Sequence, residues 1–301
     1  MATEASTDRS LRADRKIPYL LVVPGIAFLF VFFVVPLITL LKISLSTKPD
    51  RLRPEYNFTW EWDNFSQAFT RFGEHLVRAF AYAGIATLLC LVIAYPIAYF
   101  IAFKAGKYRN ILLGLVMIPF FTSFLLRTIA WQSLLADSGP VLRALRAVSL
   151  DRLLDAIGIT QNGALLNTQT AVIGGLTYNF LPFMLLPIYV SLEKIDPGLI
   201  DAASDLYSPF RRTFMRVILP LSLPGVFAGT LLTFIPATGD FINAELLGST
   251  EAKRVIGNAV RLQFLNQNDY PAAAAISFVL MAIITTLVAI YAKFLGTEDL
   301  A

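Results

Sequence analysis

Six apolar runs, at about 19–41, 79–103, 111–135, 169–192, 217–239 and 272–294, limit what this chain can fold into. Each is long enough to cross the roughly 30 Å of bilayer hydrocarbon at about 1.5 Å per residue. That layer holds no water, so every backbone N–H and C=O must find a partner within its own segment, and each run must be a helix. Composition agrees: 56% of the 301 residues are hydrophobic and 15% charged, against about 25% charged in a soluble domain. The expected fold is an all-α integral membrane protein, a single domain of six transmembrane helices over 17–301. Residues 1–16 are polar and without apolar periodicity, and are expected to be a disordered tail. The first run is long for a signal-peptide core and lacks a small-residue cleavage pattern, so it is expected to be retained.

Several functions are excluded by what is missing. One cysteine, Cys90, rules out an internal disulfide and argues against a metal cluster. A net charge of +4, scattered along the chain, does not make a nucleic-acid surface. There is no G-x-x-x-x-G-K-[ST] phosphate loop, no H-E-x-x-H and no G-x-S-x-G. The one histidine, His75, falls in an expected outer segment, where solvation is its ordinary fate. An enzyme reading has no nucleophile–base pair to stand on.

Six crossings put both termini on one side. Arg9, Arg12, Arg15, Lys16, the short KAGKYR loop at 104–109, Lys194, Arg211, Arg212, Arg216 and Lys293 share that side. Basic residues are denser there than in the longer, acid-balanced connections opposite, so termini and the 193–220 linker are expected to be cytoplasmic, in the cell (inner or plasma) membrane. Opposite, 136–168 and 240–271 carry amphipathic stretches, the first expected to be one short surface helix. Trp60, Trp62 and Phe65 suit an interfacial aromatic belt.

The 193–220 linker, EKIDPGLIDAASDLYSPFRRTFMRVILP, is the unusual connection. Asp196-Pro197 is a helix start, with Asp as the cap and Pro in the first turn. That helix is expected to run to about Tyr207, where Ser208-Pro209 breaks it and opens a second. A charged helix-turn-helix between two spans is a docking element for a soluble partner. Pro96, Pro119, Pro182, Pro187, Pro220, Pro224 and Pro236 interrupt or bracket four of the spans, as expected of helices that line a pathway or bend during a cycle. Gly225 and Gly229 form a small-x-x-x-small pair for close helix approach.

Charges in or near a membrane are costly and therefore worth weighing. Arg127 lies deep in the third run, and Asp240 closes the fifth at a similar depth, followed by Glu245. One reading has Arg127 reaching the outer interface, with Asp240 solvated or paired to it. The other places Asp240, with Glu245, at the mouth of a cavity that attracts a cationic solute, with Trp131, Tyr178 and Phe180 as cation–π faces.

The segment DAASDLYSPFRRTFMRVILPLSLPG resembles the EAA loop in permease subunits of ATP-binding-cassette importers, whose pattern is E-A-A, three residues, G, then I-x-L-P. Asp201, Ala202 and Ala203 stand for E-A-A, and Val217 to Pro220 for the closing part. The resemblance implies a type I importer architecture with cytoplasmic coupling helices. It places Asp201, Ala202, Ala203, Leu206, Tyr207, Ser208 and Pro209 at the ATPase contact. Tyr207 stands where the pattern has glycine. Tyrosine does not reach positive φ cheaply, so the turn is expected to be made by Ser208-Pro209 instead. FIPATGDFINAELLGST, VIGNAVRLQFLNQNDYPAAAAISFVLM and IPFFTSFLLRTIAWQSLL are similar to permeases of spermidine/putrescine importers. The implied partners are a second, different permease, two ATPase subunits and an outer substrate-binding protein. ATP and Mg are expected on the ATPase and no cofactor in this chain. A permease for another small solute (an aminophosphonate, thiamine or an iron complex) stays open, as does an ion-coupled carrier needing no ATPase.

Overall fold

The structure, a computed structural model, describes residues 17–48, 56–156, 158–161, 163–249 and 253–295. The expected tail at 1–16 lies outside them, as do Pro49 and Pro54. Among the described residues the chain is helical, with only isolated bridges Ser46–Phe58 and Gln161–Ala164 outside that pattern. Among the described residues five helices are long and apolar enough to cross a membrane, and a bent pair makes the candidate crossings six when it is counted as one span. The crossings are α1 (Leu21–Ser44), α2 (Asp63–Phe103), the pair α3 (Arg109–Met117) and α4 (Phe124–Leu135), α7 (Gln169–Glu193), α9 (Phe210–Gly239) and α12 (Tyr270–Leu295). Between them lie α5 (Pro140–Ala147), α6 (Leu150–Ala156), α8 (Pro197–Asp205), α10 (Ile242–Leu247) and α11 (Ile256–Arg261).

The centre is α2 packed on α7, with α9 against both. Ala79, Ala83, Ala86, Cys90, Ala94 and Ala98 recur every three or four residues on α2 and are all buried. Small side chains on one face let two backbones approach, which is how helices associate where lipid removes the hydrophobic drive. Gly225 and Gly229 do the same for α9. A Cβ at Gly225 would lie 2.5 Å from the Pro187 carbonyl oxygen, and one at Gly229 would lie 2.9 Å from that of Met184. Tyr95 Oη and Ser222 Oγ, 2.8 Å apart, tie α2 to α9.

Three expectations need correction. The second helix starts at Asp63, not near 79. Its first four turns are too polar for a hydropathy run, but Phe65, Ala68, Phe72 and Leu76 keep helical spacing and face the core. His75 consequently sits in the helix, its ring 5.6 Å from that of Phe72. Second, Pro96, Pro182, Pro187, Pro224 and Pro236 lie inside helices that continue through them. Only Pro119 coincides with a break: it sits in the 3-10 turn Ile118–Phe121, Thr122 and Ser123 are extended, and the two halves bend by 94°. Third, the amphipathic segment at 136–168 is two helices rather than one, because Ser149 has φ +56° and redirects the chain.

Candidate functional site

Two groups of expected residues are separated along the chain, one at the linker and one at the far end of α9.

At the linker, α8 begins as Asp196-Pro197 foretells: Asp196 Oδ1 accepts the Gly198 N–H at 2.9 Å. It is rooted by Leu192 and Ile195, both buried. A second anchor comes from Arg109, which donates to Tyr189 Oη and forms an ion pair with Glu193. The start of α3 is thereby tied to the last turns of α7, just ahead of the linker. Asp201 and Ala202 are exposed and Ala203 is partly buried.

The turn contradicts the expectation. Tyr207 itself takes φ +52°. The Leu206 N–H reaches the Ala202 carbonyl at 3.2 Å and the Ser208 N–H reaches that of Ala203 at 3.1 Å. This is a helix end closed by a left-handed residue, the position where glycine is ordinarily found. Tyrosine holds it at a cost of about 1–2 kcal/mol. Pro209 adopts extended geometry (ψ 147°) and precedes α9 rather than occupying its first turn. The tip is apolar and bare, with Leu206 82% and Tyr207 95% exposed. Behind it Phe210 and Phe214 pack edge-on against Tyr99, at 6.1 and 6.4 Å. The tip therefore stands on a fixed base.

At the far end, α9 stops at Gly239 and Asp240 caps the next helix, α10. Asp240 Oδ1 accepts the N–H groups of Ile242 (2.7 Å) and Asn243 (3.2 Å), while Oδ2 accepts from Asn243 Nδ2. These bonds satisfy the opening turn of α10. Gly175 lets α10 seat against α7, since a Cβ there would lie 2.6 Å from Asn243 Oδ1. Gly257 admits the turn from the other side, where a Cβ would lie 2.6 Å from the Gly239 carbonyl oxygen.

Sequence reasoning passed over the residues that join this group. Asn179 Nδ2 donates to Asn243 Oδ1 at 3.1 Å and to Thr128 Oγ1 at 3.3 Å. Thr128, Asn179 and Asn243 are all buried, and each neighbours or bonds an expected residue: Arg127, Tyr178 and Asp240. The available signal was an amide in the middle of an apolar run, weaker than a charge but of the same kind. Trp131 and Tyr178 do meet, edge to face at 5.3 Å. Phe180 is instead buried, packed against Phe124 and Phe183.

The charges are distributed differently from either reading of the sequence. Arg127 does not pair with Asp240; its guanidinium lies over Phe120 at 4.9 Å and Phe124 at 5.8 Å, and its buried Nε has no partner. Glu245 is matched by Lys253 (3.7 Å) and Arg261 (3.5 Å), with Asn258 Nδ2 at 2.7 Å. Among the described residues no such cation pairs with Asp240.

The class these features define is a polytopic helical membrane protein with a rigid projecting tip on one connection and a buried polar chain behind another. Residues 94–296 match the binding-protein-dependent transport system inner membrane component family. The chain belongs to that family. It is 35% identical over 273 residues to the spermidine/putrescine transport system permease protein PotB of Escherichia coli K12, covering 90% of this chain and 95% of that one. The PotB protein of Haemophilus influenzae is also 35% identical, over 267 residues, covering 88% and 89%. Among solved structures, a chain of a bacterial transporter involved in the import of the acidic polysaccharide alginate superposes with a TM-score of 0.65, at 17% identity, over 95% of this chain and 98% of that one. At that identity the likeness is one of fold.

Proposed function

We propose that this chain is a permease subunit of an ATP-driven importer and forms half of the path by which polyamines, spermidine or putrescine, cross the cell membrane. The observation that carries the substrate is the 35% identity to PotB proteins over nearly the full length of both chains. Its partners are a second, different permease, two ATPase subunits on the cytoplasmic face and an outer substrate-binding protein. Both termini and the linker lie on the cytoplasmic side.

ATP and Mg act on the ATPase, not here. When nucleotide closes the ATPase pair, its motion reaches α8 and the Tyr207 tip. Nucleotide supplies the difference in binding energy between two arrangements of the permease pair. This chain receives the push on a tip fixed by Leu192, Ile195 and the Arg109 clamp. At the outer end, an extended polyammonium needs carboxylate and aromatic faces. Asp240 supplies a carboxylate that no cation among the described residues neutralises, and Trp131 with Tyr178 an aromatic pair.

The test is uptake of labelled spermidine and putrescine by cells lacking other polyamine importers, with this chain supplied together with its partner subunits. ATP-dependent uptake, competed by each polyamine but not by thiamine, an aminophosphonate or an iron complex, is the expected result. Uptake of one of those solutes alone would move the chain to another cargo. Transport by the isolated chain, driven by an ion gradient, would overturn the importer reading.

A further inference from the structure

Between α9 and α12, at the end away from the linker, lies a groove of about 920 Å³. Ile235, Val260, Phe264, Leu280, Ile284 and Val288 line it, and among the described residues no carboxylate does. A cationic solute therefore finds no counter-charge in it. Its length is that of one leaflet. The α12 residues that line it run from Ser277 to Val288, about 17 Å by helical rise, against roughly 15 Å for half of the hydrocarbon layer. Beyond Val288 a smaller hollow of about 360 Å³ ends at Tyr291, whose ring stacks on Phe227 at 4.6 Å and closes the seam. A membrane-crossing helix needs about 30 Å of open seam, whereas a flexible acyl chain does not.

The other end of the groove is charged. Arg261 lines it, with its guanidinium over Phe241 at 5.9 Å. Glu245 is shared between Arg261 and Lys253, so these three side chains carry one positive charge in excess. Beside that end the rings of Phe264, Tyr270 and Tyr56 follow one another at 4.8 and 5.7 Å. Aromatic side chains of this kind sit at headgroup level. We infer that the groove binds one anionic phospholipid of the leaflet away from the linker. An acyl chain lies along Ile235, Leu280 and Ile284, and the phosphate rests on Arg261. A guanidinium suits this role because its N–H groups can meet two phosphate oxygens at once. The lipid then braces α9 against α12 above the Phe227–Tyr291 stack.

The test uses the full-length chain, purified with the subunits that accompany it and stripped of lipid in detergent. Native mass spectrometry counts retained phosphatidylglycerol and phosphatidylcholine, and thermal unfolding is followed in parallel. Expected is one phosphatidylglycerol per chain that Thr285→Trp releases, since Thr285 is exposed within the groove and a larger side chain there fills it. That lipid should bind at least tenfold more tightly than phosphatidylcholine and raise the unfolding temperature. Arg261→Gln should abolish the preference and Arg261→Lys should keep most of it. Glu245→Gln, which frees Arg261, should tighten phosphatidylglycerol further, the opposite of what damage to the fold would do. Equal retention of the two lipids, retention unchanged by Thr285→Trp, or weaker binding in Glu245→Gln each overturns the inference. To identify the occupant in membranes, Thr285→Cys in a Cys90→Ala background carries a benzophenone. Cross-linking to phospholipid supports the site. Cross-linking to a second copy of this chain or to another subunit gives the groove to protein and overturns it.

Discussion

Asn179 and Asn243, 64 positions apart in sequence, meet through a hydrogen bond of 3.1 Å, and the next bond along runs in the same direction. Asn179 gives to Asn243, and Asn243 gives to Asp240. The carboxylate is the end of a chain that begins in α7, so its position is set by amides rather than by a counter-ion.

Replacing Asn243 by Ala removes an acceptor from Asn179 and a donor from Asp240 at a fully buried site. Leaving such groups unpaired costs about 1–3 kcal/mol. The variant should unfold several degrees below wild type in detergent, read by dye-reported thermal melting. An unchanged melting temperature would mean the chain contributes no stability.

Asp240→Asn and Glu245→Gln should separate cleanly in uptake. Among the described residues Asp240 has no cation paired with it, whereas Glu245 already faces Lys253 and Arg261. Losing the unpaired charge should lower polyamine uptake about tenfold or more, equivalent to about 1.4 kcal/mol, and Glu245→Gln should lower it less. The reverse order would move the cation-attracting role to Glu245.

Glycines give a graded packing test. Gly225→Ala places a Cβ 2.5 Å from the Pro187 carbonyl, which α7 cannot move aside cheaply, and Gly84→Ala meets nothing within 4 Å. Overpacking at the first should cost about 1–3 kcal/mol, while the second should be neutral or slightly stabilising. Thermal unfolding of the two variants side by side decides it.

Arg109→Ala should act locally. The two side chains of the pair with Glu193 are 34% and 41% exposed, so its worth in global stability is under about 1 kcal/mol. Its loss should instead speed amide exchange at 189–196, the root of α8, with little change elsewhere. Uniform protection in that segment would show that Leu192 and Ile195 hold the root unaided.

Much of this was legible from residue types. Apolar runs located the crossings because a bilayer leaves the backbone no alternative to a helix. Asp196-Pro197 marked the start of α8 because an aspartate before a proline is suited to cap a first turn. The start of α2 was hidden, since its amphipathic turns are paired in the fold but too polar to register as a run. Prolines misled for a related reason: in a packed bundle, neighbouring groups absorb a missing N–H, so only Pro119, with Thr122 and Ser123 extended beside it, breaks a span. At the far end of α9, Asp240 and Glu245 drew attention as charges. That one is held by amides and the other by cations is a property of folded neighbours. Tyr207 shows the limit of propensity, because a strained residue is invisible until its backbone is seen.

One helix joins the linker tip to Asp240. α9 starts three residues after Tyr207 and stops one residue before Asp240, and its 30 residues reach about 45 Å. Gly225 and Gly229 seat it closely on α7, against the Pro187 and Met184 carbonyls and the Ser191 and Met184 side chains. If α9 swings as a body by about 10°, its far end sweeps about 8 Å, more than the width of an extended polymethylene chain. Leverage alone, with no change in local chemistry, would therefore displace the Asp240 carboxylate by that distance.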